Sequence, residues 1–341
     1  MARIIPPSKP FSMPSVWAER EPLSIAISAP DGFLSQLRPI DPEFYEERGR
    51  INIADYLKAQ DQYLNERLEN GKMVFHYTTI PALLGIVRDG ALWASDVRQL
   101  NDRWEIRYAL NQLGAILAAD SAFAKNHQPI QAIFGVDRFW QFASCFSKSR
   151  DQLSQWRAYG NQIGVAIAFD RDHLDEAATA AGGYLTDCRY VALDEFSSFK
   201  AELDGIIQSL KDPSLFNEKG ELINMTIQHQ LTKQAIEIAS SIKHPSFREE
   251  QEVRFIGEHG SLKKEIQYRS SERSLVPYAT LDLDMRRFGG SKRKRYTNFL
   301  GMMEIMVWPQ NADGQILDAI ELLLRDVGHV PIGRSESPYR T

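Results

Sequence analysis

The chain has 341 residues, 43% hydrophobic, 25% charged and 10% aromatic, ordinary globular proportions that allow one large domain or two smaller ones around a sizeable core. A formal charge of −5, from 40 Lys plus Arg against 45 Asp plus Glu, excludes a general nucleic-acid coat and leaves room for a local basic patch. The 2 cysteines, Cys145 and Cys188, lack CxxC spacing, are too few for a disulfide framework and read as free thiols in a reducing compartment.

Residues 1 to about 50 are rich in proline (Pro6, Pro7, Pro10, Pro14, Pro22, Pro30, Pro39, Pro42) and poorly periodic, which predicts an extended arm that does not fold alone. They carry no continuous apolar h-region, and the longest apolar runs, such as Ile163 to Phe169, fall far short of the roughly 20 residues of a membrane helix. The expected compartment is the cytoplasm, with no membrane partner. Leu57, Leu64 and Leu68 make a helical stripe that Asn70-Gly71 ends, so the expected division is an arm and helix over 1–71 and a single α+β domain over 72–341.

Met73 to Tyr77 reads as a strand. Thr79 caps a short helix with Pro81 in its first turn and Gly90 as its stop. Ala91 to Ser95 is a second strand, and a longer helix from about Asp102 sets Ile106, Leu110, Leu113 and Leu117 on one face. Phe142 to Phe146 is a strand, Gln152 to Tyr159 a short helix, Ile163 to Phe169 a buried strand and Tyr184 to Val191 another. Helices follow at roughly 193–211 and 219–242, then strands at Glu252 to Ile256, Tyr278 to Leu283 and Met303 to Trp308, and a helix over Gln315 to Val327. Strands separated irregularly by one or two helices predict α+β rather than a regularly wound α/β sheet.

No GxGxxG, phosphate loop or GxSxG is present, and the seven histidines show neither HxH nor HExxH spacing, so no metal site is expected. Four clusters remain. In Phe75-His76-Tyr77-Thr78-Thr79, His76 is either a donor to a ligand ribose or phosphate, with Tyr77 as an aromatic wall, or a buried histidine bonded to backbone. In Leu100 to Glu105, Asp102 and Glu105 have the spacing of a helix cap with a returning carboxylate, which needs no function. Ser144-Cys145-Phe146-Ser147 precedes Trp156, Arg157 and Tyr159; Trp156 and Tyr159 share a helix face and either stack on a planar ring or fill a core. In Arg248 to Phe255, strand alternation sends Glu252 and Arg254 away from Val253 and Phe255, as ligand contacts or as an exposed salt-bridged ladder.

Taken in order, F-H-Y-T-T, L-W-A-S with L-N-D-R-W-E, S-C-F-S with Q-W-R-A-Y-G-N and G-V-A-I-A-F, and E-E-Q-E-V-R-F resemble the uncharacterised bacterial family of domain of unknown function 2971. Val276-Pro277-Tyr278, Val307-Trp308-Pro309 and the closing Ser335 to Arg340 extend the likeness over about residues 73 to 340. A more distant resemblance is to the ADP-ribosyltransferase superfamily, with its pattern of His, Tyr and Glu. That resemblance implies a mixed split β-sheet core with flanking helices, and NAD as substrate in a cleft with no metal. It gives His76 the adenosine-side ribose and Glu252 the nicotinamide ribose as the catalytic pair. Trp156 or Tyr159 becomes the nicotinamide stacker, and Tyr77, Ser95, Ser147 and Arg254 join the NAD-contacting set.

Cleaving the nicotinamide–ribose bond develops an oxocarbenium-like sugar and releases a neutral leaving group, so a fixed carboxylate beside the sugar is the main requirement. Removing such a preorganised contact typically costs on the order of 100- to 1,000-fold in rate. The resemblance implies transfer of ADP-ribose to a protein or nucleic-acid acceptor, or NAD hydrolysis, in a toxin or phage-defence setting. The alternative is a non-catalytic nucleotide- or protein-binding sensor. Lys292 to Arg295, with Arg286 and Arg287, forms a basic spot that is either a solvated loop or a hold for a nucleic-acid acceptor.

Overall fold

The computed structural model describes residues 62–99, 105–120, 133–134, 140–159, 164–219, 221–258, 262, 265–270, 275–287, 298–308, 314–328 and 330–337. The Pro-rich arm, Leu57, the cap at Asp102 and the basic run Lys292 to Arg295 lie outside the described residues. In chain order the elements are α1 (62–69), β1 (Met73–Thr79), α2 (Ile80–Asp89), β2 (Ala91–Asp96), α3 (Glu105–Ala118), β3 (Gln141–Ser147), α4 (Leu153–Tyr159), β4 (Gly164–Asp170) and α5 (Arg171–Ala181). There follow β5 (Tyr184–Asp187), β6 (Arg189–Tyr190), α6 (Lys200–Leu210), α7 (Met225–Ser240), β7 (Ile242–Lys243) and β8 (Glu252–Glu258). The last are β9 (Gln267–Ser270), β10 (Leu275–Asp282), β11 (Met302–Val307), α8 (Gly314–Leu324) and β12 (Ile332–Arg334). The architecture is α+β, with mixed and mostly antiparallel strand pairing. Among the described residues no helix is long and apolar enough to cross a membrane.

The described residues form two compact units: those from 62 to 92, within 146–180 and from 281 on make the first, and those within 93–145 and 181–280 the second. In the first, β4 lies between β1 and β11, antiparallel to both, and β12 runs parallel to β11. All seven residues of β4 are buried, which its unbroken apolar run requires. Thr79 caps α2 by accepting from the Ala82 N–H, and Gly90 ends it at φ 63°, a left-handed conformation that glycine adopts without cost. Met73, Phe75 and Tyr77 of β1 pack with Trp156, Met303, Met306 and Trp308, and Leu64 and Leu68 of α1 close over them. Asp170 accepts from the N–H groups of Asp172 and His173 at the start of α5, and pairs with Arg67. Lys72 pairs with Asp172 at 2.8 Å, so both ends of the α1–β1 connection are tied to this helix start.

His173 is fully buried, with Nε2 2.8 Å from the Leu283 carbonyl, and burial lowers its pKa to about 4. Gly301, at φ 67°, leaves room for that ring; a Cβ there would come within 2.3 Å of it. The unfolded histidine titrates near 6.5, so as pH falls below that value the unfolded chain takes up a proton that the folded chain refuses until about 4. Stability is lost across this window, by about 2 kcal/mol between pH 7 and pH 5, where most carboxylates do not yet titrate. Urea midpoints at those two pH values in wild type and His173→Asn measure it. Equal losses in the two proteins would show that His173 is not the group responsible.

In the second unit β8 pairs with β3 and antiparallel with β5, β3 pairs with β2, and β10 follows β2 with β9 beyond it. Helices α3, α6 and α7 cover one face: Ile106, Leu110, Leu113, Leu203, Ile207, Leu231 and Ala235 bury against Ala143 and Ile256. The strand expected over Tyr184 to Val191 is two strands. At Cys188 the chain changes partner, its N–H going to the Glu252 carbonyl, while the Arg189 N–H goes to Ser241 beside β7. The helix expected from 193 begins as a 3₁₀ turn over Leu193–Phe199, and that expected from 219 starts at Met225, capped by the Asn224 side chain.

Candidate functional site

The residues singled out by sequence divide between the units. The first holds His76, Tyr77, Ser147, Trp156 and Tyr159; the second holds Ser95, Glu252 and Arg254.

In the first unit His76, opposite Ile167 in β4, is half-buried with its ring 5.7 Å from that of Phe146. Tyr77 is buried, and its hydroxyl donates to the Ser149 carbonyl at 2.8 Å and accepts from the Gln152 N–H at 3.0 Å. Burial pushes its phenol up, so it stays neutral and clamps the β3–α4 turn. Ser147 is also buried and accepts from the Ser149 N–H at 3.0 Å. Trp156 is 1% exposed, edge-on to Tyr77 at 5.0 Å and against Trp308 at 5.1 Å. Those neighbours make it a core residue; of the two stackers offered by the sequence, Tyr159 is the one that stays half-buried.

Sequence reading missed Asp151. Its carboxylate accepts from the Trp156 indole N–H at 2.6 Å, the Ser335 hydroxyl at 2.6 Å, and the Glu336 and Ser337 backbone N–H groups at 2.8 and 3.1 Å. The closing Ser-Glu-Ser is thereby fixed to the start of α4. A short polar motif far down the chain has a structural reason for being there.

In the second unit Glu252 and Arg254 are 5% and 3% exposed, so they form a buried ion network and not a solvated ladder. Glu252 Oε1 accepts from Arg254 Nε at 2.7 Å, and Oε2 accepts from Arg254 Nη2 at 3.0 Å and from Lys243 Nζ at 2.6 Å. The Cys145 thiol also hydrogen-bonds this carboxylate. Lys243 pairs in addition with Glu250 and lies 4.9 Å from the centre of the Phe247 ring. Two cations and two carboxylates thus balance in a nearly dry site, the condition under which buried charge is tolerated. Burial pushes the Glu252 carboxyl up, but Arg254 and Lys243 outweigh it and hold the group down at about 2. Burial and the adjacent Glu252 push the Cys145 thiol well up, so it is a neutral donor there.

The backbone fixes this network as firmly as the side chains do. The Glu252 N–H donates to the Tyr190 hydroxyl at 2.7 Å, and burial raises that phenol to about 12. Gln251, immediately before β8, sits at φ 43°, so the strand begins from a left-handed turn that a non-glycine residue occupies at some cost. Arg254 also reaches the Ser240 carbonyl at the end of α7, at 3.4 Å. Lys243 and Tyr190 carry no sequence signal for this role; the parallel β6–β7 pairing sets Tyr190 beside Lys243, and a 9-residue return joins Lys243 to Glu252. Ser95 is half-buried and accepts from Arg269 Nη2 at 3.1 Å. Among the described residues no cluster of His, Cys, Asp and Glu is placed to hold a metal ion.

A family model matches residues 155–255: Protein of unknown function (DUF2971). The chain resembles that family there. The matched stretch takes in Trp156, Tyr159, Glu252 and Arg254, and is narrower than the 73–340 suggested by motif order. No curated protein matches the chain. Among solved structures, DarT of Thermus sp. 2.9 in complex with ADP-ribosylated ssDNA matches at 10% identity and a TM-score of 0.31, over 80% of this chain and 97% of that one. A TM-score this low is no ground for transferring chemistry.

Proposed function

We propose that the chain consumes NAD, transferring ADP-ribose to a macromolecule or to water, with Glu252 as the carboxylate beside the nicotinamide ribose. The observation that carries this reading is the state of Glu252: a carboxylate held ionised near pKa 2, at the start of a late strand, bonded to donors that a sugar hydroxyl can replace. A ribose hydroxyl offers the carboxylate what the Cys145 thiol or the Lys243 ammonium offers it now, one hydrogen-bond donor. An oxocarbenium-like sugar would supply a positive charge beside the carboxylate, as Lys243 does. The roles that the superfamily resemblance gives His76 and Tyr159 belong to the same proposal. So does a toxin or phage-defence setting, in which depletion of NAD or marking of a protein or nucleic acid is the harmful act.

A specific observation favours a second reading, a non-catalytic sensor of nucleotides or proteins. Glu252 has its acceptor positions filled and is 5% exposed, as a structural ion network requires. Incubation with NAD labelled in its adenylate half, with protein extract, single-stranded DNA and RNA offered in turn, separates the two. The enzyme reading expects label in one macromolecule or in free ADP-ribose. NAD recovered intact under every acceptor leaves the sensor.

A further inference from the structure

One face of the second unit combines an exposed aromatic ring with an arginine that has no carboxylate partner among the described residues. Trp93 of β2 is 46% exposed. Its indole lies on the ring of Tyr278 in β10, with centroids 4.7 Å apart and planes inclined by 33°. Tyr278 is itself held, because its hydroxyl donates to Gln267 Oε1 of β9 at 2.7 Å. Tyr278 and Gln267 face each other in the β10–β9 register, as do Val276 and Arg269, so Arg269 lies on the same side of the strands as the two rings. Arg269 Nη2 reaches back to Ser95 Oγ of β2, which closes the group from β2 to β9.

The guanidinium is the telling part. Arg254, Arg98, Arg286 and Arg287 each lie against a carboxylate. Arg269 has only the Ser95 hydroxyl among the described residues, and its Nε is buried with no hydrogen-bond partner. A desolvated donor without an acceptor costs roughly 1–3 kcal/mol, more for a charged group, which an anionic ligand would recover. An aromatic ring supported from behind and left nearly half exposed in front is the complementary feature, a shelf for a flat heterocycle.

We propose that Trp93, backed by Tyr278, and Arg269, steadied by Ser95, form a subsite for one nucleotide unit. The base stacks on the indole and the phosphate pairs with the guanidinium. A nucleotide within a single strand and half of a dinucleotide both present this chemistry. The position also relates the subsite to Glu252. Continuing the β2–β3 register, in which Ser95 sits opposite Ala143, places Trp93 opposite Cys145, whose thiol bonds Glu252. Trp93, Cys145 and Glu252 therefore run in a row across β2, β3 and β8, and a nucleotide on the indole would sit one strand away from Cys145. The subsite does not depend on NAD being cleaved; it stands if nicotinamide release fails, and can itself fail while release is seen.

Titration calorimetry of the full chain with adenosine, AMP, NAD and a short single-stranded DNA tests it. Trp93→Ala is expected to raise the Kd of the binding probes roughly tenfold or more, while Trp93→Phe keeps most of the affinity. Arg269→Gln is expected to raise the Kd of AMP by about tenfold and leave that of adenosine nearly unchanged, because only the former carries the phosphate. Sensitivity confined to the DNA assigns the subsite to an acceptor strand, and sensitivity confined to AMP and NAD assigns it to a free nucleotide; either supports the proposal. Melting temperatures within a few degrees of wild type establish that the variants are folded. The proposal is overturned if no probe binds the wild-type chain, or if folded Trp93→Ala and Arg269→Gln bind every probe as wild type does.

Discussion

Glu252→Gln is expected to destabilise the protein by on the order of 3–5 kcal/mol, enough to threaten folding in a domain of ordinary stability. The substitution keeps the shape and removes the charge between two buried cations, Arg254 and Lys243, of which Lys243 also pairs with Glu250. Arg254 loses two hydrogen bonds to the charged carboxylate, at 2.7 and 3.0 Å, and keeps a longer one to the Ser240 carbonyl at 3.4 Å. Urea denaturation of the purified variant measures the loss, and a midpoint equal to that of wild type would mean that the network contributes nothing. Lys243→Met in the Glu252→Gln background is expected to return part of the stability, because it removes an unbalanced buried cation and keeps apolar volume against Phe247. Activity lost on removing Glu252 is therefore informative only when the folded fraction is measured beside it.

Trp156→Ala is expected to cost about 3–5 kcal/mol, the range for emptying a large aromatic site in a core. The indole is 1% exposed and fills the space between Tyr77 and Trp308, and its N–H is one of the donors that hold Asp151. Truncation leaves a void lined by those two rings and by Met303 and Met306, none of which is at a chain end free to collapse. Tyr159→Ala, at a half-buried position on the same helix, should cost clearly less. Thermal unfolding followed by near-ultraviolet circular dichroism compares them. A Trp156→Ala melting point no lower than that of Tyr159→Ala would contradict the core role of Trp156.

What the sequence made legible was local. Thr79, Pro81 and Gly90 announce α2 through caps that act within a few residues, and the apolar run Ile163 to Phe169 announces β4, a strand buried on both faces. Partner exchange was not legible: nothing in Tyr184 to Val191 says that Cys188 bonds to β8 while Arg189 turns to Ser241, because that choice is made by segments more than 50 residues away. Pro277 lies inside β10, opposite Tyr268 on β9, where the expected strand began one residue later. Proline discourages a central-strand reading, and only the pairing shows that the position is permitted.

The candidate site followed the same division. Alternation correctly put Glu252 and Arg254 on the face opposite Val253 and Phe255, yet it could not say whether that face meets water or helices. Packing of α3 and α7 on it makes the charges buried and calls for Lys243, a residue with no motif around it. Trp156 and Tyr159 looked equivalent at helical spacing; neighbours from β1 and β11 separate them. Trp93 entered only as a letter of L-W-A-S and was given no role, since exposure is a property of what fails to cover a residue. Asp151 and the closing serines were visible as separate polar letters, and their bonds span more than 180 positions.

The requirement for an ionised Glu252 is tested most directly by nicotinamide release. Free nicotinamide is followed by chromatography after NAD is incubated with wild type and with Glu252→Gln, at a temperature where circular dichroism shows both folded. The account predicts steady release by wild type and a rate lower by roughly 100- to 1,000-fold for the folded variant. Equal rates in the two proteins, or no release by wild type with any acceptor present, would contradict it.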